Sequence, residues 1–272
     1  MLKTTIFGAF VLCSSFAFWL GLFRLSYHLL DSYFQRKKWQ MSHHHIMNMC
    51  EAIVSGAQAI ASSVCGVVVV LSCYHDVMWA VHPLASDYGL AASSYFIYDT
   101  VAMYEVYLSS LPEVPETFIK RVKGFVKKRT LLVLHHVGVS AFLFPVLVYR
   151  SGIGDFFVGC FFCVELSGPF TNMRVILSRL GLKYSRWYLL NGIAMILSFA
   201  LCRVVVFPYM YLAYGAQYGL SILEVVKKIP LHCNLGCLLV LIPQLHWLRL
   251  MILGAIKMFS GKKLSEAEEK ID

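Results

Sequence analysis

The 272 residues are 58% hydrophobic and 14% charged, with a mean hydropathy of +0.66, which leaves too little polar surface to coat a water-soluble globule. A formal net charge of +9 would suit a nucleic-acid binder in a soluble protein, but here Lys and Arg fall between apolar stretches. The charge is therefore a topology signal, and no nucleic-acid partner is expected.

Apolar stretches of about 20 residues, enough to cross a hydrocarbon core about 30 Å thick, recur along the chain. They lie at roughly 5–23, 50–73, 89–111, 130–149, 154–179, 187–213 and 230–256. The expected fold is all-α: a polytopic transmembrane helical bundle of about seven spans. The first stretch is long for a signal-peptide core and is read as an anchor, with cleavage near Ala17 as the alternative. Basic residues alternate strongly between the connections. Arg36, Lys37 and Lys38, then Lys120, Arg121, Lys123, Lys127, Lys128 and Arg129, then Lys183 and Arg186, then Lys257, Lys262, Lys263 and Lys270 fall on one side. Lys3, Arg150, Lys227 and Lys228 fall on the other. An odd number of spans with a cytosolic C-terminus follows. The largest connection runs from Pro112 to Arg129 and reads as a cytosolic loop. The organisation expected is an N-terminal anchor and cytosolic connection over 1–45, one membrane domain over 46–257, and a short polar cytosolic tail over 258–272.

Ionisable side chains at membrane depth cost at least about 2.5–3.5 kcal/mol each on insertion scales, so each demands a partner, a cavity or a task. Asp99 is central in YFIYDTVAMYE, with Glu105 nearer the basic end. His135 and His136 lie in LLVLHHVGV, Glu165 in CVELSGPF and Arg203 in ALCRVVVFP. At about 1.5 Å of rise per residue the histidines sit roughly 8 Å inside the basic leaflet. Adjacent helical residues diverge by about 100°, so one histidine faces a cavity and the other a neighbouring helix, in either assignment. A neutral imidazole is a general base or nucleophile, and a carboxylate on its second nitrogen strengthens it. Asp99 and Glu165 are both candidates for that carboxylate. The competing reading is a set of structural His–acid and Arg–acid pairs holding the bundle in register.

Asn172 follows Glu165 on nearly the same helix face, and Tyr95 and Tyr98 flank Asp99. Pro169 should bend its helix, and Pro208 and Pro243 offer the same in later helices. The triplet His43, His44, His45 reads as a solvated interfacial run, and Cys160-x-x-Cys163 as packing, because neither has further ligands at metal spacing. Cys13, Cys65 and Cys202, inside apolar runs, read as reduced packing residues as well.

YFIYD with Asp99, LHH with His135 and His136, GDFFVGC from Gly154, VELSGPF around Glu165 and CRVVVFPYMYLAYG from Cys202 together resemble the TLC-domain membrane proteins. The likeness runs from about Ile46 to Lys257 and looks closest to TLC domain-containing protein 3, the subgroup related to ceramide synthases. The resemblance implies an endoplasmic reticulum or Golgi membrane bundle that handles lipid in an interior cavity. It implies N-acyl transfer from acyl-coenzyme A to a sphingoid base, with no bound cofactor and no metal. Membrane lipids, acyl-coenzyme A and the sphingoid base are the implied partners, along with homomeric or heteromeric association with other TLC proteins. His135, His136 and Asp99 are the implied catalytic residues, and Glu165, Asn172 and Arg203 the implied substrate contacts. One departure stands out. Ceramide synthases carry a second His–Asp pair on the next helix, where this chain has Phe161 and Phe162 and only Glu165 nearby. That departure favours the alternative: a non-catalytic member that binds lipid or regulates membrane lipid composition or trafficking.

Overall fold

The computed structural model describes residues 2–150 and 152–259, with backbone alone for 2–5, 142–146, 148 and 259. The polar tail from Gly261 lies outside the described residues. All regular structure among the described residues is helical. In chain order the helices are α1 (Leu2–Arg36), α2 (His43–Cys73), α3 (Pro83–Ser109), α4 (Phe118–Lys128), α5 (Thr130–Tyr149) and α6 (Asp155–Cys163). They continue with α7 (Gly168–Arg179), α8 (Arg186–Phe199), α9 (Val206–Tyr218), α10 (Ile222–Lys228) and α11 (Leu231–Phe259). A 3₁₀ turn, Val164–Ser167, joins α6 to α7, and a π turn, Ala200–Val205, joins α8 to α9.

Among the described residues, five helical stretches are long and apolar enough to cross a membrane: 6–36, 43–73, 155–179, 186–218 and 231–258. The expectation of about seven adds α3 and α5. Helix α3 has the length but carries Asp87, Asp99 and Glu105, and the described apolar part of α5 is the shorter Thr130–Ala141. The first span is longer than its apolar core predicts, because nothing between Phe23 and Arg36 breaks the helix. The expected loop from Pro112 to Arg129 is corrected: its second half is α4. Phe125 of α4 is buried against Tyr104 and Tyr107 of α3, while Phe118 and Ile119 are exposed beside the lysines. An amphipathic helix pinned along one line in this way suits a membrane interface.

Helix α2 is the hub and packs against α1, α3, α6 and α7. Its approach to α6 depends on glycine. A Cβ on Gly66 would come within 2.7 Å of the Cys163 backbone nitrogen and 2.8 Å of the Gly159 carbonyl oxygen, backbone atoms that have no room to yield. Small residues at such crossings let helices in lipid gain dispersion energy by close approach. Gly66→Val should therefore cost about 2 kcal/mol or more, read as a lower Tm of the purified protein. Cys160 and Cys163 belong to this same packing, Cys160 fully inside the core and Cys163 against Gly66.

At the end of the bundle opposite α4, Arg150, the residue after α5, forms an ion pair with Asp155, the first residue of α6. The second Arg150 nitrogen donates to Ser86 Oγ at 2.9 Å, and the other Asp155 oxygen accepts from the His82 amide at 2.7 Å. His82 caps α3, so three helix ends meet on one charge pair.

Candidate functional site

The membrane-depth polar residues gather around α5. Asp99 on α3 faces His136 on α5, its Oδ2 3.3 Å from Nδ1, with both side chains about one-tenth exposed. The contact is off line for a hydrogen bond, and Nδ1 is buried without one. Helical spacing supplies the rest of the pocket. Phe96, three residues before Asp99, lies edge-on to the His136 ring at 5.6 Å, and Tyr95, four before, is buried on the same face of α3 as Asp99.

His135 diverges from His136 as adjacent helical residues must, and its half-buried ring packs edge-on against Trp247 of α11 at 5.2 Å. The sequence leaves the roles of the two histidines and two carboxylates open. The geometry pairs His136 with Asp99 and turns His135 toward α11.

Glu165 has another partner. Its Oε2 accepts from Arg203 at 2.9 Å, and Arg203 Nε donates to Ser167 Oγ at 2.8 Å. Both members of this pair sit on irregular turns. Pro169, at the start of α7, has no amide proton to offer the preceding turn, and the chain tightens to 3₁₀ geometry through Glu165. The π turn widens the helix at Arg203, and its guanidinium lies over Phe199 at 5.4 Å. The chain thus changes to 3₁₀ geometry just before Pro169, whereas Pro243 lies inside a continuous α11. Glu165 and Arg203 lie within electrostatic reach of His135 and His136, and Glu165 of Asp99, so the two pairs are neighbours in the bundle.

Asn172 sits elsewhere on α7. Its Cβ lies 3.7 Å from where a Gly56 side chain would start, in the α2–α7 contact, and no hydrogen bond joins it to the histidines among the described residues. Glu51 on α2 was not singled out from the sequence. It feels the charge of Asp99, lies 3.5 Å from Asn48 Nδ2, and is connected through Asn48 Oδ1 to Arg179 Nε at 2.7 Å. Its signal was an acid in the apolar run MCEAIV, close to the span boundary.

Phe161 and Phe162 are core residues. Phe162 is buried edge-on to Tyr88 at 5.1 Å, and Phe161 packs on Phe207. His43 pairs with the Tyr27 hydroxyl at 2.9 Å and His44 with Ser109 Oγ at 3.0 Å, so the triplet is more tied into the bundle than a solvated run. No group of three or more His, Cys, Asp or Glu that could hold a metal occurs among the described residues.

Two relatives, TLC domain-containing protein 4-A of Xenopus laevis and TLC domain-containing protein 4 of Xenopus tropicalis, are each 36% identical over 89 residues. The aligned segment covers 32% of this chain and 34% of each relative, about a third of their length. The sequence motifs look closest to protein 3, whereas these two carry the number 4. No solved structure matches the chain. The TRAM_LAG1_CLN8 family model, described as the TLC domain, matches residues 48–253 and so takes in Asp99, both histidines, Glu165 and Arg203: the chain belongs to the TLC-domain family.

Proposed function

We propose that the protein is a ceramide-synthase-like enzyme of sphingolipid metabolism, a multi-pass protein of the endoplasmic reticulum or Golgi membrane with about seven spans and a cytosolic C-terminus. It transfers an acyl group from acyl-coenzyme A to the amine of a sphingoid base. The observation that carries the reading is the buried Asp99–His136 pair, 3.3 Å apart, at a depth reached from one leaflet. Asp99 holds the Nδ1–H tautomer, which leaves Nε2 as the base. The amine nitrogen attacks the thioester carbonyl, the C–N bond forms and the C–S bond breaks. The amine proton passes to His136 Nε2 and on to the leaving thiolate. Arg203, held by Glu165 and Ser167, and Asn172 are the proposed polar contacts for substrate.

The exposed lysines of α4, Lys120, Lys123, Lys127 and Lys128, attract the phosphates of coenzyme A in this reading. Changing all four to Gln should raise KM for acyl-coenzyme A several-fold with kcat unchanged, a difference that shrinks as salt is added.

A second reading, a lipid-binding regulator without turnover, is favoured by Phe161 and Phe162, which fill with core packing the place where a second His–Asp pair would stand. Purified protein in liposomes with acyl-coenzyme A and sphinganine separates the two. Turnover above that of a His135→Ala, His136→Ala double variant supports the enzyme, and its absence leaves the regulator.

A further inference from the structure

Helix α11 presents an inward stripe at helical spacing: Cys237, Val240 and Leu241 pack onto the apolar core, and Trp247 meets His135. Gln244 falls on that stripe between the two, three residues after Leu241 and three before Trp247. It is fully buried, and neither its amide nitrogen nor its amide oxygen has a hydrogen-bond partner. An apolar residue of the same shape would serve the packing better, because a buried unpaired amide loses its hydration and gains nothing in return. Among membrane-facing helices the penalty is greater, since the hydrocarbon offers no substitute partner.

Helix α11 packs against α5, α8 and the π turn that carries Arg203. On the inward stripe, three residues place Gln244 one turn, about 4.5 Å, deeper in the membrane than the Trp247–His135 contact. A primary amide offers a donor and an acceptor side by side. We propose that Gln244 is a substrate-binding residue that holds the hydroxyl groups of a long-chain amino alcohol one turn below the histidines, each hydroxyl able to both donate and accept. This rests on the acyl-acceptor reading of the site but concerns binding, not turnover.

The experiment uses the full purified chain in detergent and reads thermal unfolding and lipid affinity for wild type and the near-isosteric Gln244→Leu. Without lipid, Gln244→Leu should unfold about 2–4 °C higher, since an unpaired amide has been removed. Sphinganine should bind the wild type about tenfold more tightly than octadecylamine, which has the same amine and chain type but no hydroxyls. In Gln244→Leu that preference should vanish while octadecylamine affinity stays. A lowered Tm in Gln244→Leu would show that the amide already has a structural partner, and would overturn the proposal. An intact sphinganine preference in the variant, or no preference in the wild type, would overturn it as well. If the hydroxyl preference depends on Gln244 but no acyl transfer is found, the catalytic reading fails and the binding site stands.

Discussion

His136→Ala is expected to lower kcat for acyl transfer by at least about 100-fold, while His135→Ala lowers it less. The asymmetry comes from their surroundings. His136 has the Asp99 carboxylate 3.3 Å from its inner nitrogen and an aromatic wall in Phe96, and in the proposed reaction these orient the ring with Nε2 as the base. His135 has the edge of Trp247 and, among the described residues, no carboxylate in ion-pair contact. Asp99→Asn keeps the shape and removes the charge, so it should reproduce most of the His136→Ala loss while leaving the Tm close to that of the wild type. The Tm expectation has a physical basis: Asp99 lies near two further acids, Glu51 and Glu165, so removing one negative charge from that group relieves repulsion as well as breaking a pair. Steady-state turnover with acyl-coenzyme A and sphinganine, alongside thermal unfolding, checks both statements. Equal losses for the two histidines, or a collapse of Tm in Asp99→Asn, would return the cluster to a structural role.

The residues of this cluster were legible in the sequence because hydrocarbon makes them expensive. Asp99, His135, His136, Glu165 and Arg203 each interrupt an apolar run, and the fold brings all five together. Their partners were not legible, since helical period fixes the direction of a side chain relative to its own axis and says nothing of which helix stands opposite. Asp99 and Glu165 were equivalent candidates for the histidine until α3 was seen beside α5 and Arg203 beside Glu165. Glu51 was hidden by its place at the edge of a span, where an acid ordinarily reaches water. Arg150 was hidden in another way. As a basic residue in a connection it counted toward topology, and only its burial with Asp155 shows a second role. Helix α4 was lost to the prolines and charges around it, which read as a loop although its apolar residues recur at helical spacing.

The Arg150–Asp155 pair allows stability and chemistry to be separated. Asp155→Ala is expected to cost about 3–5 kcal/mol, the usual consequence of stranding one member of a buried ion pair. The loss here falls on three helices at once. Arg150 keeps Ser86 and the Ile153 carbonyl but loses its counter-charge, the His82 amide loses its acceptor, and the junctions at the start of α3 and α6 loosen together. Side-chain exposures of 7% for Arg150 and 1% for Asp155 leave little room for water to compensate. A double variant, Arg150→Met with Asp155→Leu, replaces the pair by apolar volume and should recover much of the lost stability, because the pair's attraction is largely offset by what its burial costs. The measurement is Tm in detergent for the two single variants and the double. Asp155 lies at the end of the bundle opposite α4, so turnover per folded molecule should stay at the wild-type level in Asp155→Ala. Asp99→Asn should show the reverse, a stable fold without turnover, and the two carboxylates then mark which ionisable groups maintain the bundle and which act on lipid.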